Sequence, residues 1–307
     1  MLLINTVFQR LKRDYFRWQY KNVAQQILAT KPLVPGDLPF MLLSMVHQRD
    51  LQSYLVAVKS FAYFANPKRI VVVCDPSIDD SDRAILKRHL PHVELHVADE
   101  FTHPSMPRGG TWERLFAISE FVRDNYVVQL DADTLTVQPI PEVLEAIRNG
   151  KGFVLGEKPV TPMRSLAEAR ENALPWMRPG AHIQGIAETE MVNVGLPDNV
   201  LYVRGCSGFT GFPRAGEMQE TMIDFSRRMM GKLKDDWKRW GTEQVTSNYL
   251  VANATGTAVL PFPKYCTPDC VSVETAFFHF IGSMRFVNNK YAATSREAIR
   301  LISKTLV

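Results

Sequence analysis

Apolar runs and amphipathic segments alternate along the chain after residue 36. Three runs have the length and continuity of strands that are buried on both faces: residues 40–46, 70–73 and 126–130. Val93, Leu95 and Val97 alternate with polar neighbours, as in a half-buried strand. Segments with apolar residues at helical spacing separate these strands, at about residues 51–62, 85–90 and 115–122. This alternation predicts an α/β fold with a mostly parallel sheet flanked by helices.

The pattern weakens between residues 160 and 199, where proline and glycine are frequent. Insertions of this kind often carry substrate contacts. Regular periodicity returns with strands at 201–203 and 275–280, helices at about 215–232 and 242–253, and a closing helix at about 295–305. The segment 205–208 is rich in small residues, which predicts either a close approach of the backbone to a ligand or a plain tight turn.

Residues 1–35 are predicted to form a basic amphipathic helical extension. Basic side chains alternate with aromatic ones at helical spacing over residues 1–30. Such a segment can lie on an anionic membrane surface, or it can pack on the main domain with its basic face in water. Pro32, Pro35 and Gly36 mark the boundary, and residues 36–307 form the main domain.

Composition narrows the classes of function. The 307 residues are 46% hydrophobic and 22% charged, as in an ordinary globular protein, and a formal net charge of +4 is too small to predict nucleic-acid binding. No stretch approaches the roughly 20 apolar residues of a membrane span, and the first residues are too short an apolar run for a signal peptide. Four cysteines in so long a chain do not make a disulfide framework. We therefore expect a cytoplasmic protein whose extension could touch the inner face of the membrane.

Two carboxylates, Asp131 and Asp133, follow the apolar run at residues 126–130. The carboxyl ends of parallel strands are where open α/β sheets bind ligands. Two acids on the same side of an extended chain can hold a hard divalent cation that also binds a diphosphate. Paired acids are by themselves common in solvated turns, so the strand in front of them is what favours a metal site.

Three later segments could complete that site. His279 can add an imidazole to the two carboxylates, a mixture that suits Mn²⁺, and Arg285 can neutralise a departing diphosphate. Glu243 and Gln244 open a helix and could hydrogen-bond a sugar, and Ser207 with Gly208 could lie against a ligand. Each segment also has an ordinary structural explanation: a buried structural histidine, helix-capping chemistry and a tight turn.

Taken in order, these segments resemble the GT-A glycosyltransferases, in particular the family that contains glycogenin and the bacterial galactosyltransferases of lipopolysaccharide synthesis. The resemblance spans roughly residues 40–287. It is carried by the sequence of residues 111–115, Leu-Asp-Ala-Asp-Thr at 130–134, Ser-Gly at 207–208, Glu-Gln at 243–244 with Asn248, and His-Phe-x-Gly-x-x-Arg at 279–285. It implies a GT-A type, Rossmann-like sheet, with a donor half at about 36–158 and an acceptor-side half at about 159–307.

The resemblance also implies the role of each residue. Asp131, Asp133 and His279 would be ligands of Mn²⁺ (or Mg²⁺), and Asp131 would also lie near the ribose. The remaining residues would bind the nucleotide-diphosphate sugar: Arg114, Ser207, Gly208 and Gly282 around the donor, Glu243 and Gln244 at the sugar, and Arg285 at the diphosphate.

The chain also departs from the family pattern. The family holds uracil with acidic and aromatic residues at the end of its first strand, and residues 46–50 of this chain differ from that pattern. His47 or Asp50 could serve instead. The resemblance makes a UDP-sugar the expected donor, while the base stays open. Cys206 replaces an asparagine, and Arg285 begins Arg-Phe-Val where the family has Lys-Pro-Trp. These differences predict a divergent member.

The expected reaction is metal-dependent transfer of a sugar to an acceptor hydroxyl, with retention of configuration implied by the resemblance. If the chain inverts instead, Glu243 is the candidate base. The expected acceptor is a glycan or glycolipid of bacterial surface glycan synthesis. Trp176, Trp237 and Trp240 could stack on sugar faces or simply pack in the core.

Two alternatives stay open. A sugar-phosphate nucleotidyltransferase also pairs aspartates with a metal, but it usually carries a glycine-rich basic loop after its first strand, and residues 47–50 contain no glycine. A catalytically decayed nucleotide- or carbohydrate-binding protein would keep the fold without the reaction.

Overall fold

A computed structural model describes residues 2–156 and 158–304, with side chains from residue 8 onward, Ser283 excepted. Met1, Glu157 and residues 305–307 belong to the ranges predicted above and lie outside the described residues. The helices are α1 (Leu2–Ala24), α2 (Leu51–Ala65), α3 (Asp80–His89), α4 (Trp112–Phe121), α5 (Pro141–Arg148), α6 (Leu166–Ala173), α7 (Ile183–Glu190), α8 (Met218–Leu233), α9 (Thr242–Ala252) and α10 (Lys290–Lys304). The strands are β1 (Leu38–Val46), β2 (Pro67–Cys74), β3 (Val93–Val97), β4 (Val127–Leu130), β5 (Thr134–Thr136), β6 (Phe153–Gly156), β7 (Met163–Ser165), β8 (Leu201–Val203), β9 (Gly205–Phe212), β10 (Ala258–Val259), β11 (Tyr265–Cys266) and β12 (Phe277–His279).

The main sheet has seven strands in the order β10-β6-β9-β4-β1-β2-β3. Strands β1, β2, β3 and β4 pair in parallel, and β9 runs antiparallel to both of its neighbours, β4 and β6. A smaller sheet, β11-β12-β5, lies beside the carboxyl end of β4, and β7 pairs with β8. The predicted α/β class and mostly parallel sheet are confirmed.

Alternate residues of the central strands face two separate hydrophobic clusters. Leu42 and Val72 belong to the cluster that holds the apolar side chains of α2 and α10, whereas Leu43 and Val71 belong to the cluster of α4, α8 and α9. This two-sided burial explains why these strands read as continuous apolar runs. It also leaves the strand ends as the place where polar side chains can gather.

Three local predictions differ from the structure. Residues 205–208 begin β9, a strand buried along its whole length, so the tight-turn interpretation is wrong. The irregular region at 160–199 contains α6 and α7. The closing helix α10 begins at Lys290 rather than near residue 295.

The helix α1 packs on the main domain through its C-terminal half. Tyr20, Val23 and Ala24 are buried, and the ring of Tyr20 stacks on Tyr291 of α10 with centroids 3.9 Å apart. The hydroxyl of Tyr20 donates to Ser53 Oγ in α2 at 2.7 Å. Among the described residues, no helix combines the length and the apolar character that crossing a bilayer requires.

Candidate metal and donor site

Strand register brings the predicted metal ligands together. Strand β4 ends at Leu130, and the next amide, that of Asp131, donates to the carbonyl of Gly208 in β9 at 2.9 Å. Strand β12 runs antiparallel to β5 with His279 opposite Thr134, and the amide of Phe280 donates to the carbonyl of Asp133 at 2.8 Å. Backbone hydrogen bonds therefore fix the three ligand positions before any side chain is considered.

The three side chains converge on one point. Nε2 of His279 lies 3.1 Å from Oδ1 of Asp133 and 3.8 Å from Oδ2 of Asp131. One ligand atom from each residue lies within 4.8 Å of the other two. Two carboxylate oxygens and one imidazole nitrogen suit Mn²⁺ and also accept Mg²⁺. The donor set therefore fits the cation that the sequence predicted.

Charges on both sides set the protonation of the buried ligands. Asp133 and His279 are each only 4% exposed. Burial alone would raise the pKa of Asp133, but the imidazole of His279 and the guanidinium of Arg285 lower that pKa to about 2. Burial likewise opposes the imidazolium, yet the sulfur of Cys206 and the carboxylate of Asp133 raise the pKa of His279 well above its usual range. At neutral pH Asp133 is therefore ionised and His279 is protonated, so a cation that binds to Nε2 must displace that proton.

Two arginines balance the carboxylates. Nε of Arg285 donates to Oδ2 of Asp133 at 2.9 Å, and its Nη1 donates to Oδ1 of Asp50 at 3.1 Å. Arg114 contacts Asp131 through Nη1 and donates to Oε1 of Glu243 through Nη2 at 3.1 Å. A cation that binds here must compete with these arginines for the same oxygens.

Gly208 and Cys206 of β9 support the imidazole of His279. A Cβ atom at position 208 would lie 2.1 Å from Cε1 of His279, so the ring occupies the space that any other residue would fill. Sγ of Cys206 lies 3.1 Å from Nδ1 of the same ring. The imidazole is therefore held by β9 on one side and presents Nε2 to the two aspartates.

Polar side chains at the start of α9 line the cleft next to the predicted metal ligands. Glu243 is 3% exposed and accepts from Thr111 Oγ1 at 3.0 Å. The hydroxyl of Ser207 lies 3.4 Å from oxygens of both Glu243 and Gln244, and Nε2 of Gln244 donates to Oε1 of Gln184 at 3.2 Å. Burial raises the pKa of Glu243, and the adjacent Arg114 opposes that rise.

These residues line one cleft of about 550 Å³. All predicted site residues except His47 and Asp50 lie on its surface: Arg114, Asp131, Asp133, Ser207, Gly208, Glu243, Gln244, His279, Gly282 and Arg285. Pocket volumes of this order suit small-molecule ligands. The cleft thus collects predicted residues from five separate parts of the sequence.

His47 and Asp50 lie outside this cleft. Nδ1 of His47 lies 3.0 Å from the hydroxyl of Ser77, and Asp50 is held by Arg285. Asp50 and Arg285 also line a neighbouring cavity of about 760 Å³. Their role in binding a nucleobase stays a prediction.

Sequence reasoning gave no site role to several other residues that line the cleft. They are Gly110, Thr111, His182, Gln184, Gly241, Thr267, Asp269, Ile281 and Met284. Gln184 and His182 come from the irregular region, where no periodic signal singles them out. Of the three tryptophans, Trp237 is a core residue that donates to Ser226 Oγ at 2.9 Å, whereas Trp240 lines the cleft and is 74% exposed.

Comparison with known proteins shows the fold. No protein family model and no curated protein sequence matches this chain. The solved structure of WbbM, a bifunctional glycosyltransferase, matches with a TM-score of 0.52 at 16% identity, over 87% of this chain and 51% of that one, so this chain spans about half of its length. The galactosyltransferase LgtC, solved with donor and acceptor sugar analogs, matches with a TM-score of 0.54 at 13% identity, over 84% of this chain and 95% of that one. The chain therefore has the fold of the GT-A glycosyltransferases, at low sequence identity to the solved examples.

Proposed function

We propose that this chain is a divalent-metal-dependent glycosyltransferase, which moves a sugar from a nucleotide-diphosphate sugar to an acceptor hydroxyl. The observation that carries the proposal is the convergence of Asp131, Asp133 and His279 within 4.8 Å inside the cleft of a GT-A fold. LgtC, which shares this fold, was solved with donor and acceptor sugar analogs. A UDP-sugar is the proposed donor.

Different residues would bind the metal, stabilise the leaving diphosphate and orient the sugar while the sugar–phosphate bond breaks. Asp131, Asp133 and His279 would hold Mn²⁺ or Mg²⁺, which acts as a Lewis acid on the leaving diphosphate. Arg285 supplies fixed positive charge beside Asp133, where negative charge develops on the leaving group. Ser207 and Gln244 offer hydroxyl and amide groups to orient the sugar.

We propose retention of configuration. An inverting enzyme needs a carboxylate base that is free to face the acceptor. Both oxygens of Glu243 are already engaged, one by Arg114 and the other by Thr111. Asp269 is the other carboxylate outside the metal ligands that lines the described part of the cleft. Proton NMR of the anomeric centre in the product decides this point, and an inverted product would make Asp269 the base to test.

The activity test is a panel of nucleotide sugars with Mn²⁺, read by release of the nucleoside diphosphate. The wild type is expected to act on one donor class, and Asp133→Asn is expected to lose at least a hundredfold in rate because one metal ligand is gone. Asp124→Asn, at a side chain that is 85% exposed, is the matched control. Full activity in Asp133→Asn would overturn the proposal. Pyrophosphate release from a nucleoside triphosphate and a sugar 1-phosphate would instead identify a nucleotidyltransferase.

The acceptor is proposed to be a glycolipid at an anionic membrane surface, as in the synthesis of bacterial surface glycans. The observation is an apolar stripe on one face of α1, opposite the face that Tyr20 buries against the main domain. The side chains of the stripe are between 53% and 64% exposed: Phe8, Leu11, Tyr15 and Trp18. Helical spacing places Lys12 on one side of the stripe and Arg10 and Lys21 on the other, whereas Arg17 lies over the ring of Phe286 on the main domain. Apolar side chains bordered by positive charge suit a surface of anionic lipid, the inner face of the membrane among them.

Sedimentation with vesicles of 70% phosphatidylcholine and 30% phosphatidylserine tests this surface. The wild type is expected to bind, and the variant Phe8→Ser/Leu11→Ser/Tyr15→Ser/Trp18→Ser is expected to lose binding. Val34→Ser/Val160→Ser/Val273→Ser removes exposed apolar side chains elsewhere and should bind as the wild type does. Equal binding by the stripe variant, or a stripe-dependent dimer without vesicle binding, would remove the membrane proposal.

A further inference from the structure

Another cavity of about 670 Å³, the second cavity, opens beside the cleft and shares no lining residue with the one at Asp50. It lies between the segment that follows α6, the turn after β6 and the connection from β8 to β9. His182 lines both this cavity and the cleft, so the two spaces share one side chain as a boundary. The donor function proposed above does not use this second cavity.

The cavity is basic. Lys158, Arg178 and Arg204 line it, and no carboxylate is among the described residues of its lining. Arg204 Nη1 donates to Oε2 of Glu188 at 2.7 Å, and Glu188 is buried, so that bond fixes the guanidinium in place at the cavity. Lys158 and Arg178 are exposed and project positive charge toward any ligand there. The lining therefore favours a negatively charged ligand.

An aromatic plane lies beside these charges. Trp176 lines the cavity and is 67% exposed, and Nζ of Lys158 lies 5.8 Å from its ring centroid. Exposed tryptophan combines a broad apolar face with a polar edge, which matches the face of a sugar ring. A sugar stacked on Trp176 would place an acidic substituent within reach of Lys158.

A chain of contacts connects this cavity with the sugar-orienting residues of the cleft. Nε2 of Gln244 donates to Oε1 of Gln184, and the backbone N–H of Gln184 donates to Nδ1 of His182 at 3.3 Å. The ring of Trp240 meets His182 edge to face, with centroids 5.9 Å apart. Burial, together with Arg239 and Arg204, lowers the pKa of His182, so its imidazole is neutral at pH 7 and available to a hydroxyl. Gln244, Gln184 and His182 thus form a polar connection between the cleft and the second cavity.

We propose that the second cavity binds the acceptor, and that the acceptor is an acidic sugar whose phosphate or carboxylate group is held by Lys158, Arg178 and Arg204 while its ring stacks on Trp176. The inference rests on the proposed glycosyltransferase function and names the acceptor class for it. The diphosphate of the donor would bind in the cleft, at the metal site of Asp131 and Asp133 and at Arg285, so the second cavity is not needed for it.

Calorimetric titration of the full chain, with Mn²⁺ and UDP present, tests the inference with three probes: glucose 6-phosphate, glucuronic acid and glucose. At least one acidic sugar is expected to bind more tightly than glucose. Binding of glucose 6-phosphate alone identifies a phosphate group, and binding of glucuronic acid alone identifies a carboxylate. Lys158→Gln/Arg178→Gln is expected to weaken the acidic sugar at least tenfold, and Lys87→Gln/Arg88→Gln on α3 is the charge-matched control.

The same titrations separate the two proposals. Glucose binding as tightly as both acidic sugars, or wild-type affinity in Lys158→Gln/Arg178→Gln, would overturn the acceptor inference. Metal-dependent UDP binding should be unchanged in that variant, because neither residue touches the metal ligands. If neither UDP nor any other nucleoside diphosphate binds the wild type while an acidic sugar binds, the glycosyltransferase proposal fails and the cavity remains an acidic-sugar site.

Discussion

Nη2 of Arg114 in α4 lies 3.1 Å from Oε1 of Glu243 in α9, and both side chains are less than 5% exposed. Removing one partner of a buried ion pair leaves a charge without compensation, which costs about 3–5 kcal/mol. Arg114→Met should therefore lower the free energy of unfolding by about 3 kcal/mol, as measured by denaturant titration. Arg114→Met/Glu243→Leu removes both charges and should recover most of that loss. A double variant less stable than the single one would contradict a paired, buried arrangement.

Gly208 is expected to be essential for metal binding, although it is not a ligand. A Cβ atom at this position would overlap the ring of His279, so Gly208→Ala must displace the imidazole. We expect at least a tenfold loss of Mn²⁺ affinity, measured by calorimetry, with the fold retained in circular dichroism. Gly216→Ala is the control, because no atom lies within 4 Å of its added Cβ. Equal Mn²⁺ affinity in both variants would show that the ring does not need this space.

Arg285 should oppose the metal and favour the diphosphate. Its guanidinium donates a hydrogen bond to Oδ2 of Asp133 and competes with a metal ion for that oxygen. Arg285→Met should therefore raise the affinity for Mn²⁺ alone by about tenfold, which is about 1.4 kcal/mol. The same change removes positive charge near the leaving group, so affinity for UDP in saturating Mn²⁺ should fall. Arg285→Lys keeps the charge and should lie between the two. A parallel fall of both affinities would contradict competition at Asp133.

His89 predicts a loss of stability in mild acid. Burial and the adjacent ammonium of Lys59, whose Nζ lies 3.0 Å from Nδ1 of His89, lower the pKa of His89 to about 4 from an ordinary 6.5. Between pH 6.5 and pH 4 the unfolded chain binds a proton here that the folded chain does not, so stability falls as pH falls through that window. The melting temperature of His89→Asn should drop less than that of the wild type between pH 7 and pH 4.5. Identical pH profiles would remove His89 as the cause.

The sequence predicted four of the seven strands of the main sheet, β1 to β4, and missed the other three, β6, β9 and β10. Residues 126–130 read as a strand because a hydrophobic cluster covers each face of the sheet at this position. Strand β9 contains Gly205, Ser207 and Gly208, which have low strand propensity, and it is a strand because β4 and β6 pair with it on both sides. Tertiary pairing of this kind leaves no local signal.

Helix α6 did leave a signal. Ser165 accepts from the amide of Glu168 while Glu168 accepts from the amide of Ser165, a capping box that the spacing Ser-x-x-Glu shows in the sequence. The frequent prolines and glycines at 160–199 instead favoured an irregular segment, so the helix was not predicted. Among the metal ligands, Asp131 and Asp133 followed from strand position, whereas the place of His279 beside them came from the resemblance, because β12 is too short for periodicity to fix its register.

The central claim is that Asp131, Asp133 and His279 hold one divalent cation on which a nucleotide diphosphate binds. Pulsed electron paramagnetic resonance of Mn²⁺ with the full chain and UDP reports the ligands directly, because nitrogen and phosphorus couple to the metal. We predict a ¹⁴N coupling from one imidazole that disappears in His279→Gln, together with ³¹P coupling from UDP. Bound Mn²⁺ whose ¹⁴N coupling is absent in the wild type or persists in His279→Gln would contradict the account.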